Sequence, residues 1–374
     1  MAEFKILYIK RYSIFCNLAV NLFTLNKMIK KLLTLLHIGK ATAFATALLF
    51  GLQLCAQSKY TETVSKFTTT RMRVIIDNDF GGDPDGLFQL AHQLLSPSAK
   101  VEAIIGSHLH KGGFYGAPGN PDFACEQAKA LLKTMALPNS PIVYKGADTG
   151  LTDLKTPIRS EGAEAIVREA MRTDTKLPLY VLCGAGLTNI ASAYLIEPKI
   201  AEKIILVWIG GPEYAGMAVP PPNYQAFEYN LSIDLKAGQV VFNTSDMPIW
   251  QIPRDAYRQA LVSYAELLHE VGDKGRTGKF LVERIEDLLK RANNNLGEAY
   301  VLGDSPLVLL TALQSGWEAD PSSSSYVTVQ APKINDAGQY MTNHKGRNIR
   351  VYNKLDIRLM MQDFYAKLAL FNKK

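Results

Sequence analysis

Cysteine is scarce, and positive charge is unevenly placed. The chain holds four cysteines in 374 residues, which excludes the disulfide framework that staples small secreted domains. No internal repeat, low-complexity tract or evident linker interrupts it, and 27 Gly with 18 Pro fall well short of collagen-like or disordered composition. A basic excess is missing where it would matter. The formal charge of +6 invites a nucleic-acid reading, but residues 1–57 carry seven of the 41 Lys and Arg and one of the 35 Asp and Glu, leaving the remainder neutral overall. No nucleic-acid partner is therefore expected. What the chain does have is apolar material, 47% of its residues, enough for one large α/β core.

The one long apolar run, Leu32 to Leu54, is broken by His37, Lys40 and Gln53. Lys30-Lys31 precede it and Cys55-Ala56-Gln57 follow. A basic start, an apolar centre and a small residue before a polar one predict a signal peptide, Met28 to Ala56, and export to the periplasm or beyond. Residues 1–27 read as translated upstream sequence, so 1–57 is set aside and 71–374 is treated as one domain. A membrane anchor is the alternative, because the run is nearly long enough to span a bilayer; a lipid on Cys55 is another. Cleavage leaves Cys125 and Cys183, and the apolar run Leu179 to Cys183 marks the latter as a buried free thiol.

Beyond the leader, short apolar runs alternate with helical spacing. Strands are predicted at Arg73–Asp77, Val101–Ile105, Ile142–Tyr144, Leu179–Cys183 and Ile204–Ile209, and helices at 87–95, 123–135, 162–171 and 187–195. Nearly continuous apolar strands separated by helices imply an α/β fold with a mostly parallel central sheet covered on both faces, a Rossmann-like core. In such sheets ligands sit at the carboxyl ends of strands. After Asp255 the spacing turns to longer helices, 256–271, 279–292 and 307–313, read as a helical insertion that covers a substrate. The end reads as a small strand pair, 326–330 with 349–352, closed by a helix near 355–370.

The first strand runs into Asp77-Asn78-Asp79-Phe80-Gly81-Gly82-Asp83-Pro84-Asp85-Gly86. Four carboxylates in nine residues repel one another unless a cation compensates them or water surrounds them. A hard divalent ion is one remedy, and a flexible, oxygen-rich site with glycine turns suits Ca²⁺ better than Mg²⁺. A solvated acidic loop with Asp83 as a helix N-cap is the other reading. Further polar groups follow later strands: Ser107-His108, Gly184 to Asn189, Gly210-Gly211, Glu228-Tyr229-Asn230, Asp234 and Gly303-Asp304-Ser305-Pro306.

This ordered set resembles the nucleoside hydrolase family, the inosine-uridine-preferring N-ribohydrolases, from about Val74 to Leu310. The resemblance implies a nucleoside hydrolase-like fold and calcium-dependent hydrolysis of the N-glycosidic bond of a ribonucleoside or related riboside. It implies that Asp79 binds calcium and acts as general base, with the Thr188 carbonyl, Asp304 and Asp85 completing the protein ligands. It gives the ribose to Asp83, Glu228 and Asn230, with Ser107 and Asn223 beside them; because Pro84 separates the two acids, Asp83 and Asp85 exchanging roles is the alternative. Asp77 would support the ligands, and Asp234 would cap a helix. A small-molecule riboside is the implied partner, and a homo-oligomer the implied assembly, with no stable membrane partner once the leader is cut.

Some residues depart from the family's pattern. Many members place a His before the late Asp, where it protonates the leaving base; this chain has Gly303. His108 is the expected substitute, since an imidazole titrates near neutrality. Tyr214 and Tyr224 flank Pro220-Pro221-Pro222, a stretch open to reading as an aromatic lid or as an extended surface loop. Two other classes compete. A haloacid dehalogenase-type phosphatase also begins with a strand ending in Asp-x-Asp, but leaves Glu228 to Asn230 unexplained. A calcium-dependent sugar- or nucleoside-binding protein would keep the pocket and lack catalysis.

Overall fold

The first strand, β1 (Met72–Asn78), is buried along its whole length. Val74 and Ile76 point to one face of the sheet and Ile75 to the other, each meeting its own apolar layer. This two-sided burial is the signature of a parallel sheet sandwiched by helices. A computed structural model of the chain describes Val64, residues 66–223 and residues 227–372. The stretch 28–56, read above as a signal peptide, and Tyr224 lie outside the described residues. Among them no helix is long and apolar enough to cross a membrane.

In chain order β1 is followed by α1 (Asp85–Leu94), β2 (Ala99–Gly106), α2 (Pro121–Met135), β3 (Ile142–Lys145), α3 (Glu161–Ala170), β4 (Leu179–Cys183), α4 (Thr188–Ile196) and β5 (Ile204–Ile209). Then come α5 (Tyr229–Ile233), β6 (Ile249–Ile252), β7 (Leu261–Ser263), α6 (Gly275–Ala292), β8 (Ala299–Val301), β9 (Ser325–Gln330), β10 (Lys333–Ile334), β11 (Tyr340–Met341), β12 (Asn348–Lys354) and α7 (Ile357–Phe371). Local capping starts several helices: Asn120 accepts from Phe123 N at 2.8 Å ahead of Pro121, and Ser160 from Ala163 N at 3.1 Å.

Eight strands form one sheet in the order β3-β2-β1-β4-β5-β6-β12-β9. Every pairing is parallel except β12 with β9. The register aligns the carboxyl ends: Asp77 lies opposite Ile105 of β2 and Cys183 of β4, and Cys183 opposite Trp208 of β5. The direction of winding reverses between β1 and β4, so a crevice opens there.

Three expectations change. The strand pair 326–330 and 349–352 is not a separate unit, because β12 pairs in parallel with β6 and extends the main sheet. The helix expected over 256–271 is broken, since Leu261–Ser263 instead pairs antiparallel with Ala299–Val301. Strand β6 had no counterpart in the sequence reading.

The last helix docks through a buried polar chain. Asp363 Oδ2 pairs with Lys367 Nζ at 2.6 Å and His92 Nε2 at 2.7 Å, and Lys367 also donates to Ser96 Oγ at 2.9 Å. Lys367 and His92 are buried, and burial pushes both below their ordinary values, so Asp363 carries the compensation. Asp363→Ala strands the ammonium without its partner and is expected to cost about 3 kcal/mol, read from urea unfolding curves.

Candidate active site

Asp77, next to last in β1, has no exposure at all. Its Oδ1 accepts from the Ser107 hydroxyl and from Asn189 Nδ2 at 3.0 Å, and Cys183 Sγ lies 3.9 Å from Oδ2. Burial pushes this carboxyl up to about 6, against the pull of those donors. Asp77 thus ties three strand ends together beneath the crevice.

Asn78 does similar work one residue on. Its Oδ1 accepts from Asp79 N at 2.7 Å and its Nδ2 donates to Asp304 Oδ2 at 2.9 Å, joining segments 226 residues apart. Gly184 makes room for it: a Cβ there would sit 2.4 Å from Asn78 Nδ2 and 2.7 Å from Asp304 Oδ2. Gly184→Ala is therefore expected to cost about 1–3 kcal/mol by overpacking, measurable as a lower denaturant midpoint with an unchanged slope.

Above this layer an open cavity of about 250 Å³ is lined by Asp79, Asp83, Asp85, Asp304, Glu228 and Asn230, together with Phe114, Tyr229, Tyr257, Arg258 and Gly303. The four aspartates are mutually destabilising. Burial, then Asp304 and Asp83, hold Asp79 well above the usual carboxylate range. The same causes, joined by Asp79 itself, act on Asp85. Asp83 is raised by burial even though the Tyr300 hydroxyl donates to it, and Asp304 is raised by burial and then by Asp83. Among the described residues no three acids, histidines or cysteines are already drawn into a coordination cluster. The donor set nevertheless fits a hard divalent ion: all-oxygen, anionic and short of positive charge. Arg258, exposed at the cavity, is the cation lining it.

Glu228 and Asn230 flank the start of α5. Glu228 Oε2 accepts from Gly211 N at 2.8 Å and Leu231 N at 2.9 Å, while Oε1 takes the Tyr257 hydroxyl at 2.9 Å. Asn230 spends its Nδ2 on the carbonyls of Ile209 at 2.8 Å and Gly184 at 3.3 Å. Among the described residues nothing donates to Oδ1, so both side chains present acceptors, suited to sugar hydroxyls.

The remaining expected residues are placed elsewhere. His108 is buried with both ring nitrogens engaged, Nδ1 with Leu109 O and Nε2 with Thr188 Oγ1, each at 2.9 Å, and it does not line the cavity. Ser107 is turned down onto Asp77. Asn223 is exposed in a turn with φ of 60° and does not reach the cavity. Thr188, at the start of α4, is buried behind the lining, its hydroxyl donating to Asp234 Oδ2 at 2.7 Å. Asp234 caps the next helical turn by accepting from Ala237 N at 3.0 Å. Tyr214 is no free lid, since its hydroxyl donates to Gln251 Oε1 at 2.6 Å. Sequence reasoning missed Asn78, Tyr257 and Tyr300; only Asn78 had a signal, its place between two acids.

The model of the family "Inosine-uridine preferring nucleoside hydrolase" matches residues 74–362. A protein of that description from Leishmania major is 30% identical over 125 residues, which is 33% of this chain and 38% of that protein's length. Among solved structures, a purine-preferring ribonucleoside hydrolase from Gardnerella vaginalis is similar with a TM-score of 0.64 and 18% identity, over 80% of this chain and 99% of that one. An inosine-uridine preferring nucleoside hydrolase from Bacillus anthracis is similar with a TM-score of 0.58 and 15% identity, over 80% and 99%. At these identities the structural likeness establishes the fold.

Proposed function

The chain belongs to the inosine-uridine preferring nucleoside hydrolase family, and from that premise we propose that it hydrolyses the N-glycosidic bond of ribonucleosides or a related ribofuranoside, giving free base and ribose. The observation that supports this most is the meeting of Asp79, Asp83, Asp85 and Asp304 with the acceptor pair Glu228 and Asn230 around one cavity. Breaking the bond builds positive oxocarbenium character on the sugar, so fixed carboxylates favour the transition state over the neutral substrate.

In this reading Asp79 removes a proton from the attacking water, and Asp83, Glu228 and Asn230 hold the ribose hydroxyls. Asp79, Asp85 and Asp304 would hold a divalent cation, Ca²⁺ by the chemistry of the donors, and Thr188, behind the lining, is left out. When bound, that ion supplies the charge that compensates the acids and polarises the water. Tyr257 orients Glu228 and Tyr300 orients Asp83, each through its hydroxyl. His108, Ser107 and Asn223 are left out of the chemistry. The leader of residues 28–56, and with it export, is part of the same proposal, as is assembly with a second copy.

The test is incubation of the mature protein with a nucleoside panel, with and without a chelator, following base and reducing sugar. Release of both, abolished by chelation, is expected. Ribose binding without release would favour the binding-protein reading, and phosphate release from a phosphomonoester the phosphatase.

A further inference from the structure

Two tyrosines line the cavity, and their hydroxyls are used differently. Tyr257 donates to Glu228 Oε1 at 2.9 Å. The Tyr229 hydroxyl has no hydrogen-bond partner among the described residues, although its ring is well held. It packs edge-on against His110 at 5.2 Å and Phe114 at 5.9 Å between ring centroids. His110 is fixed by Nε2 to Ser232 Oγ at 3.0 Å, and Arg291 pins the loop by donating to the carbonyls of Phe114 at 3.1 Å and Tyr115 at 3.2 Å.

The phenol also senses the acids. Burial first, then Asp79 and Asp83, push it well above its ordinary value, so it keeps its proton and has it to donate. Neither of the positions expected to serve the leaving base does so. Gly303 has no side chain, and a Cβ there would already lie 3.2 Å from Asp85 Oδ2. His108 faces away with both nitrogens spent.

We propose that the Tyr229 hydroxyl is a catalytic residue, donating the hydrogen bond that stabilises the departing base. This rests on the hydrolase reading above. As the C1′–N bond breaks, its electron pair leaves with the base, and the Tyr229 hydrogen bond to a ring nitrogen or carbonyl oxygen spreads that charge. The water oxygen bonds to C1′, its proton passes to Asp79 and then to solvent, and the base takes its proton from solvent. The fixed donor selects heterocycles carrying an acceptor and makes no demand on a leaving group already stable as an anion.

The experiment compares Tyr229→Phe with the unsubstituted protein on inosine, uridine and 4-nitrophenyl β-D-ribofuranoside, whose nitrophenolate needs no assistance. A fall of roughly 10- to 100-fold on both nucleosides is expected, with the nitrophenyl riboside changed less than about threefold. Equal losses on all three substrates, or full activity on the nucleosides, would overturn the proposal while leaving the hydrolase reading intact. An unsubstituted protein inert toward every riboside would overturn the reading itself, and the proposal with it.

Discussion

Asp79→Asn is expected to lower turnover of the best nucleoside by about 10³-fold or more while making the cation-free protein more stable. The two effects have one cause. Asp79 sits 5% exposed among Asp83, Asp85 and Asp304, and in the proposed mechanism it both accepts a proton from water and holds the cation. An amide of the same shape does neither. Without the cation the same carboxylate is a liability, because its charge raises Asp85 and is itself opposed by Asp304 and Asp83. Removing it should relieve that repulsion, seen as a melting temperature a few degrees higher in chelator. Initial rates of base release at saturating nucleoside, beside melting curves, read both. A variant that keeps a tenth of the activity would remove Asp79 from the chemistry.

Much of this arrangement could be read from the chain, for reasons that differ by residue. The acids at 77 to 85 stand out because a β-branched run delivers them to a strand end, where four carboxylates crowd between glycines. Asp304 and the pair at 228 and 230 stood out only as polar groups after later strands, and their roles came from the resemblance, since nothing local requires Glu228 to face an acid 149 residues upstream. The ring orientation of His108 could not be read: lying two residues past β2 says nothing of its Nε2 reaching Thr188, 80 residues away. Tyr257 and Tyr300 were hidden for the same reason, their carboxylate partners being 29 and 217 residues distant. In the fold, Leu261–Ser263 carries apolar spacing compatible with a helix, and only the chain at Ala299–Val301 makes it a strand. β6 is four residues long, too short to show a period, yet it holds β12 and β9 to the sheet.

Removing the cation should abolish activity and reverse the way stability depends on pH. In the cation-free protein Asp83 is pushed up to about 6 and Asp304 to about 7, with Asp79 and Asp85 also raised, all by burial first. A carboxyl whose folded value lies above its unfolded value of 3.8 binds protons more tightly when folded. Its contribution to stability is complete below about pH 4 and is lost as pH rises through the folded values, here 6 to 7. Melting temperature in chelator is therefore expected to fall between pH 5 and pH 8. Calcium takes the place of those protons, so saturating Ca²⁺ should flatten or reverse the fall. At a hundred times its dissociation constant the ion adds about 2.7 kcal/mol, and its affinity should weaken toward pH 5 as protons compete. Differential scanning calorimetry at both pH values, in chelator and in Ca²⁺, measures each arm, and base release lost in chelator should return on adding Ca²⁺ more fully than on adding Mg²⁺. Melting curves indifferent to Ca²⁺ at every pH would mean that Asp79, Asp85 and Asp304, though gathered around one cavity, do not bind it.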